Sequence, residues 1–135
     1  MKVLLVQPPI EDFYATRVRN YPLGLLYLAT KVKDLCDVKV VDLRKGRVQE
    51  ASENPFPELS EHFRKESHTP FSLFKTYKRY GLNIKEIERI IMAENPDVLC
   101  VSSLFSAYVR EAQEVARCAK EVKEGIVTVL GGHHA

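Results

Sequence analysis

Short apolar runs rich in β-branched residues alternate with helical patterns along most of this chain, and that alternation limits the folds open to it. Lys2 to Gln7 is an apolar run of the fully buried type. Tyr21-Pro22 opens a helical pattern, with Pro22 suited to a first helical position, where a missing N–H costs nothing. Leu25, Leu26, Leu28, Ala29, Val32 and Leu35 follow at helical spacing, while Lys31, Lys33 and Asp34 point to water. Val38 to Leu43 is a second β-rich run, so strand, helix and strand predict a parallel crossover. The rhythm returns at Asn83, a helix cap ahead of the stripe Ile84, Ile87, Ile90 and Ile91, which Asn95-Pro96 stops. Asp97 to Ser102 is the third predicted strand. Ala112, Val115, Ala116, Ala119 and Val122 mark the next helix, ended by Glu124-Gly125, and Ile126 to Leu130 is the fourth strand. The expected fold is a doubly wound parallel α/β sheet of Rossmann-like or flavodoxin-like three-layer type, with at least four strands. Such a domain commonly continues into a further helix and strand, so residues 1–135 are expected to be the N-terminal domain of a longer protein.

Residues 44–82 break the pattern. Asn54-Pro55-Phe56-Pro57 and Thr69-Pro70 are turn signals, with a short polar helix expected between Glu58 and Glu66. Phe71, Phe74 and Tyr77 fall three apart, as on one side of another short helix. A structureless loop of this length is uncommon inside a domain, so a partly ordered insertion is expected. It interleaves Arg64, Lys65, Lys75, Lys78 and Arg79 with Phe71, Phe74, Tyr77 and Tyr80. That mixture has three readings: a nucleic-acid patch, aromatics packed on the sheet with their cations in water, or a face that docks a partner domain. Glu58, Glu61 and Glu66 dilute any basic field and favour the second.

Composition narrows the function classes. A net charge of +2 gives no general attraction to nucleic acid or anionic membrane. No apolar run approaches the ~20 residues that span a bilayer, and Pro8-Pro9 cuts the first run too short for a signal peptide. A cytoplasmic protein is expected. The three cysteines, Cys36, Cys100 and Cys118, lack metal-ligand spacing and make no disulfide framework; Cys100 and Cys118 read as small buried hydrophobes.

In an open α/β sheet ligands dock at the carboxyl ends of the strands. Three of those ends carry small or turn-forming residues: Gln7-Pro8-Pro9, Ser102-Ser103-Leu104 and Gly131-Gly132-His133. Together they predict a shelf for a large, planar, polar-rimmed ligand. Several chemistries lack their usual motif there. The turn after the first strand lacks G-x-G-x-x-G, and proline offers no N–H to a pyrophosphate. There is no P-loop. A phosphorylated receiver domain needs an acceptor aspartate where Val101-Ser102-Ser103-Leu104 has none. No G-x-S-x-G elbow surrounds a serine.

Two features carry a family resemblance. One is Gln7-Pro8-Pro9 followed by Tyr21-Pro22-Leu23-Gly24-Leu25-Leu26-Tyr27-Leu28-Ala29; the other is Ser102-x-Leu104, then 26 residues, then Gly131-Gly132. On these the chain resembles the N-terminal cobalamin-binding domain of radical S-adenosylmethionine enzymes of the Fe–S oxidoreductase or methyltransferase type. The resemblance spans the chain apart from residues 44–82. It implies a corrin lying over the strand ends and a nucleotide tail entering between sheet and helix. Pro8, Pro9, Tyr21, Leu23, Gly24, Ser102, Ser103, Leu104, Gly131, Gly132 and His133 would then contact the cofactor. It further implies a downstream radical domain in cis, holding a [4Fe–4S] cluster, S-adenosylmethionine and a small-molecule substrate, with methyl transfer or radical chemistry done there. This piece alone would then hold cofactor without catalysing. The D-x-H-x-x-G of many cobalamin domains is missing here, with no histidine between Gln7 and Leu26.

Other roles stay open for these residues. Gly131-Gly132 could form a tight turn, Ser103 or Ser106 could cap the following helix, and Tyr21 could staple the helix entry. Gly24, costly inside a helix, implies close packing against the sheet or beneath the ligand. Gly132→Val is expected to weaken cobalamin binding without unfolding the domain. Two rival functions remain: the same fold without cofactor as a substrate or partner platform, or a small hydrolase or nucleotide-binding domain.

Overall fold

The computed structural model describes residues 1–13, 20–62 and 76–135. β1 (Lys2–Gln7), β3 (Asp37–Asp42), β6 (Val98–Ser102) and β7 (Val127–Gly131) form a parallel sheet in the order β3-β1-β6-β7. The doubly wound α/β architecture expected from the alternation is present. Strand order reverses at β1, which pairs with β3 on one side and β6 on the other, with Leu5 level with both Val40 and Cys100. In this fold class the crevice beyond such a reversal is the ligand position.

Successive side chains of a strand point to opposite faces. Leu4 and Val6 of β1, with Leu99 and Val101 of β6, face α3 (Ile84–Glu94) and α4 (Val109–Val122). There they close a core with Ile87, Ile91, Val115 and Ala119, all 2% exposed or less. Fully burying one such aliphatic chain contributes about 1.5–3 kcal/mol. Asn83 starts α3 with a capping box: its side chain accepts from Glu86 N–H, and the Glu86 carboxylate accepts from Asn83 N–H. Asn95 ends it in the left-handed region at φ 42°.

The opposite face is thinly covered. α1 (Leu23–Val32) contacts β1 and β3, and only Val3, Leu5 and Leu25 form its buried cluster. The expected apolar stripe is therefore corrected. Leu26 and Leu28 are 41% and 50% exposed, and Leu35 lies beyond the helix at 83%. α1 is apolar on nearly every side, so periodicity alone does not say which side meets the sheet. Pro22 also sits one residue before the helix rather than inside it.

Within the insertion, β4 (Val48–Glu50) and β5 (Lys78–Tyr80) join β2 (Ile10–Asp12) in an antiparallel sheet of order β2-β5-β4. Of the expected polar helix, α2 (Leu59–His62) is present, while Glu66 lies outside the described residues. Phe71 and Phe74 lie outside them too, and Tyr77 leads into a strand rather than ending a helix. Gly81 fastens the small sheet to the large one: its φ is 131°, and a Cβ there would lie 2.3 Å from the Leu43 carbonyl oxygen. Arg79, 8% exposed, adds bonds to the Leu82 carbonyl, Glu11 and Glu114. Tyr77 stacks edge-on against Phe13 and Phe56. So Arg79 and Tyr77 are used inside the fold and not in a nucleic-acid face; Arg64, Lys65 and Lys75 lie outside the described residues. Among the described residues no helix is long and apolar enough to cross a membrane.

Candidate functional site

Two adjoining hollows open at the carboxyl ends of β1 and β6. The larger, about 870 Å³, lies between α1 and the part of the sheet that α1 leaves bare. Val98, Cys100 and Val129 form its floor, with Leu23, Leu25 and Leu28 on the helix side. The smaller, about 240 Å³, sits in the crevice itself, between Gln7-Pro8 at the end of β1 and Ser102 to Phe105 after β6. Gln7, Asn20, Arg44, Ser102 and Leu104 line both. Small-molecule sites commonly occupy about 300–1,000 Å³, and the larger hollow falls in that range.

Tyr21, Leu23, Gly24, Ser102, Leu104, Gly131 and Gly132 line the larger hollow; Pro8, Ser103 and again Ser102 and Leu104 line the smaller. Pro9 lines neither. It is fully buried on the side of the small sheet, its Cβ close to where a Gly81 side chain would start. His133 is exposed and lines neither hollow, and His134 is engaged with Ser106 Oγ through Nδ1 at 2.8 Å. No histidine among the described residues lines either hollow.

The two glycines differ. Gly132 has φ 128°, and a Cβ there would stand 2.4 Å from the Ser103 carbonyl oxygen. It is glycine because the β6 and β7 loops touch, an attachment continued by Ser103 N–H to the Gly131 carbonyl at 2.7 Å. A Cβ on Gly131 would meet nothing within 4 Å, so that residue is the one that keeps space open. Gly24 likewise has nothing within 4 Å of a Cβ position, which removes close packing against the sheet as its explanation. Tyr21 is 77% exposed at the mouth.

The serines do not cap. Neither the 3-10 turn Ser106–Tyr108 nor α4 has a side-chain N-cap bond. Ser103 is 3% exposed, and its Oγ has no hydrogen-bond partner. Leaving such a group unpaired costs about 1–3 kcal/mol. Arg44 lies opposite. Its Nε and Nη2 fork onto Asp42 at 2.9 and 2.8 Å, and Nη2 also meets the Asn20 carbonyl at 2.8 Å. Both side chains of this ion pair are nearly buried, 9% and 12% exposed, which suits a bidentate pair.

Arg44, Asn20 and Tyr108 were not found by sequence reasoning. The one signal is that Asp42 and Arg44 are two apart at a strand end, and so on one side. Cys118 is buried as expected. Cys100 is partly buried on the floor of the larger hollow, where burial, with Cys36 nearby, raises its pKa above the usual thiol value.

Residues 74–135 match the model of the B12 binding domain. The matched stretch holds Ser102-x-Leu104 and Gly131-Gly132, and leaves out β1 and α1. An uncharacterized methyltransferase, PH0819, of Pyrococcus horikoshii is 29% identical over 136 residues, covering 99% of this chain. The cytidylyl-2-hydroxyethylphosphonate methyltransferase of Streptomyces wedmorensis is also 29% identical over the same share. The chain spans 22% of the length of each of these relatives. No solved structure matches it.

Proposed function

We infer that this chain holds a cobalamin for methyl transfer, with the corrin across the carboxyl ends of β1 and β6 and the nucleotide tail in the larger hollow. The observation that carries this is the hollow itself. It is apolar, of ligand size, continuous with a crevice at the strand-order reversal that sets polar side chains between apolar walls, and lined by both halves of the S-x-L and GG pattern. The B12 binding match and two relatives named methyltransferases support the same reading.

The residues suit the group. Leu23, Val98 and Val129 exclude water from an aromatic tail. Ser102 and Ser103 carry hydroxyls that donate to ligand oxygens or nitrogens. Gly131 leaves the room that a side chain would take. When bound, cobalamin supplies a carrier for a methyl group. The chain's own part is to bind, orient and shield it, and among the described residues no histidine lines the hollows as a cobalt ligand. The parent protein, on this reading, is a cytoplasmic radical S-adenosylmethionine enzyme. Its [4Fe–4S] cluster, S-adenosylmethionine and substrate sit in a further domain in cis, and residues 1–135 alone do not catalyse.

The test is retention. The purified chain is mixed with methylcobalamin in the dark and desalted. A coloured complex near one cofactor per chain is expected. A colourless protein overturns the reading and favours a fold kept as a docking platform.

A further inference from the structure

The smaller hollow differs from the larger in its hydrogen-bonding balance. Ser103 Oγ is buried there without a partner. A guanidinium has five N–H groups. In Arg44, Nε bonds Asp42, Nη2 bonds Asp42 and the Asn20 carbonyl, and Nη1 bonds Asn20 Oδ1, which makes four. The fifth, on Nη1, has no acceptor among the described residues. Asp42 already offsets the charge of Arg44, so what remains is donor capacity with little net charge. Pro8, Ile10, Leu104 and Phe105 supply apolar walls. A pocket of this kind fits a neutral oxygen acceptor on a small carbon arm better than a free anion.

We propose that the crevice between β1 and β6 binds a carboxamide arm of the ligand, its carbonyl oxygen accepting from Ser103 Oγ and Arg44 Nη1. The proposal rests on the cobalamin reading, since a corrin carries several such arms around its edge. It assigns the two hollows different work: the larger takes the nucleotide tail, and the crevice fixes the rotation of the ring above it. A phosphate oxygen of the tail is an acceptor too, and the choice of ligands below separates the two sources.

The full chain is titrated with methylcobalamin and with methylcobinamide, which keeps the amide arms and lacks the nucleotide; binding is followed by visible absorbance. Ser103→Ala removes an unpaired hydroxyl and leaves the melting temperature unchanged or raised. It is expected to weaken both ligands by about fivefold, the size of one neutral hydrogen bond. Arg44→Lys, which keeps the charge opposite Asp42 and loses the fork, is expected to weaken both as well. Gly131→Val is expected to weaken methylcobalamin and spare methylcobinamide. If Ser103→Ala weakens methylcobalamin alone, the hydroxyl reads the nucleotide and the proposal fails. It also fails if neither affinity changes. A wild-type chain that retains neither ligand overturns the cobalamin reading, and this inference with it.

Discussion

On one face of the main sheet, α3 and α4 bury Leu4, Val6, Leu99 and Val101 beneath Ile87, Ile91 and Val115; on the other, α1 buries Leu25 on Val3 and Leu5 and leaves most of its own apolar side chains in water. α1 is the most apolar of α1, α3 and α4 and yet the least buried, so hydrophobicity alone does not say which layer closes. The α3/α4 face is a core in which each side chain has neighbours on all sides. The α1 face is a frame around a hollow, and its exposed leucines and valines are the walls. Apolar residues that stay unburied beside an uncovered strand floor form the kind of patch that a ligand or a partner covers.

The largest expected effect contrasts the two layers directly. Ile87→Ala is expected to cost about 2–5 kcal/mol in urea unfolding, as a cavity in a closed core does. Leu23→Ala, 70% exposed at the mouth of the hollow, is expected to stay within ~0.5 kcal/mol. Equal losses would mean that α1 is held as core and that the contrast is wrong.

Next comes the glycine pair, where the expectation drawn from sequence is revised. Gly132→Val puts a side chain on a left-handed backbone against the Ser103 carbonyl. It is expected to cost at least the ~1–3 kcal/mol of a strained residue, so it is no clean probe of binding. Gly131→Val leaves thermal stability within ~0.5 kcal/mol, because its side chain enters open space. Melting curves of the two variants, side by side, check this; similar curves would mean that the loop contact is not what Gly132 serves.

A smaller effect lies on the closed side, at Glu111, which is 5% exposed with Oε2 unpaired. Burial holds its carboxyl above the usual carboxylate range. A group raised in this way contributes stability below its unfolded pKa and loses it as pH rises through the folded value. At neutral pH the buried carboxyl therefore works against the fold. Glu111→Gln is expected to raise the melting temperature by about 2–4 °C at pH 7, roughly 1 kcal/mol for a domain of this size. The gap is expected to narrow toward pH 4. Glu94 and Asp97, whose pKa values are lowered by bonds to Lys39 and to the Lys2 backbone, lose their contribution in acid in both proteins and cancel in the difference. A gap that does not change with pH would assign the gain to packing.

Much of the closed side was legible in the sequence. Asn83, the isoleucine spacing and Asn95-Pro96 fix α3 nearly to the residue, because caps and periodicity are local. The S-x-L and GG pattern marks strand ends whose residues line the two hollows. The open side was less legible for a physical reason. α1 is apolar all round, so no period separates its covered side from the wall of the hollow. Gly131 and Gly132 look alike in sequence and differ in backbone angle, which composition does not carry. Arg44 carries no local signal in the sequence beyond its spacing from Asp42, and only its bonds to Asp42 and Asn20 place it in the crevice. The three-residue strands β2, β4 and β5 are too short to show alternation.

Cys100 on the floor of the larger hollow and Cys118 in the closed core let one experiment address both faces at once. The alkylation rate of each thiol is followed by mass spectrometry, with and without methylcobalamin. Cys100 is expected to react faster than Cys118 in the free protein and to be protected at least tenfold by the cofactor, while Cys118 is unchanged. A protein that retains methylcobalamin while Cys100 reacts at its original rate would put the ligand elsewhere and contradict the account.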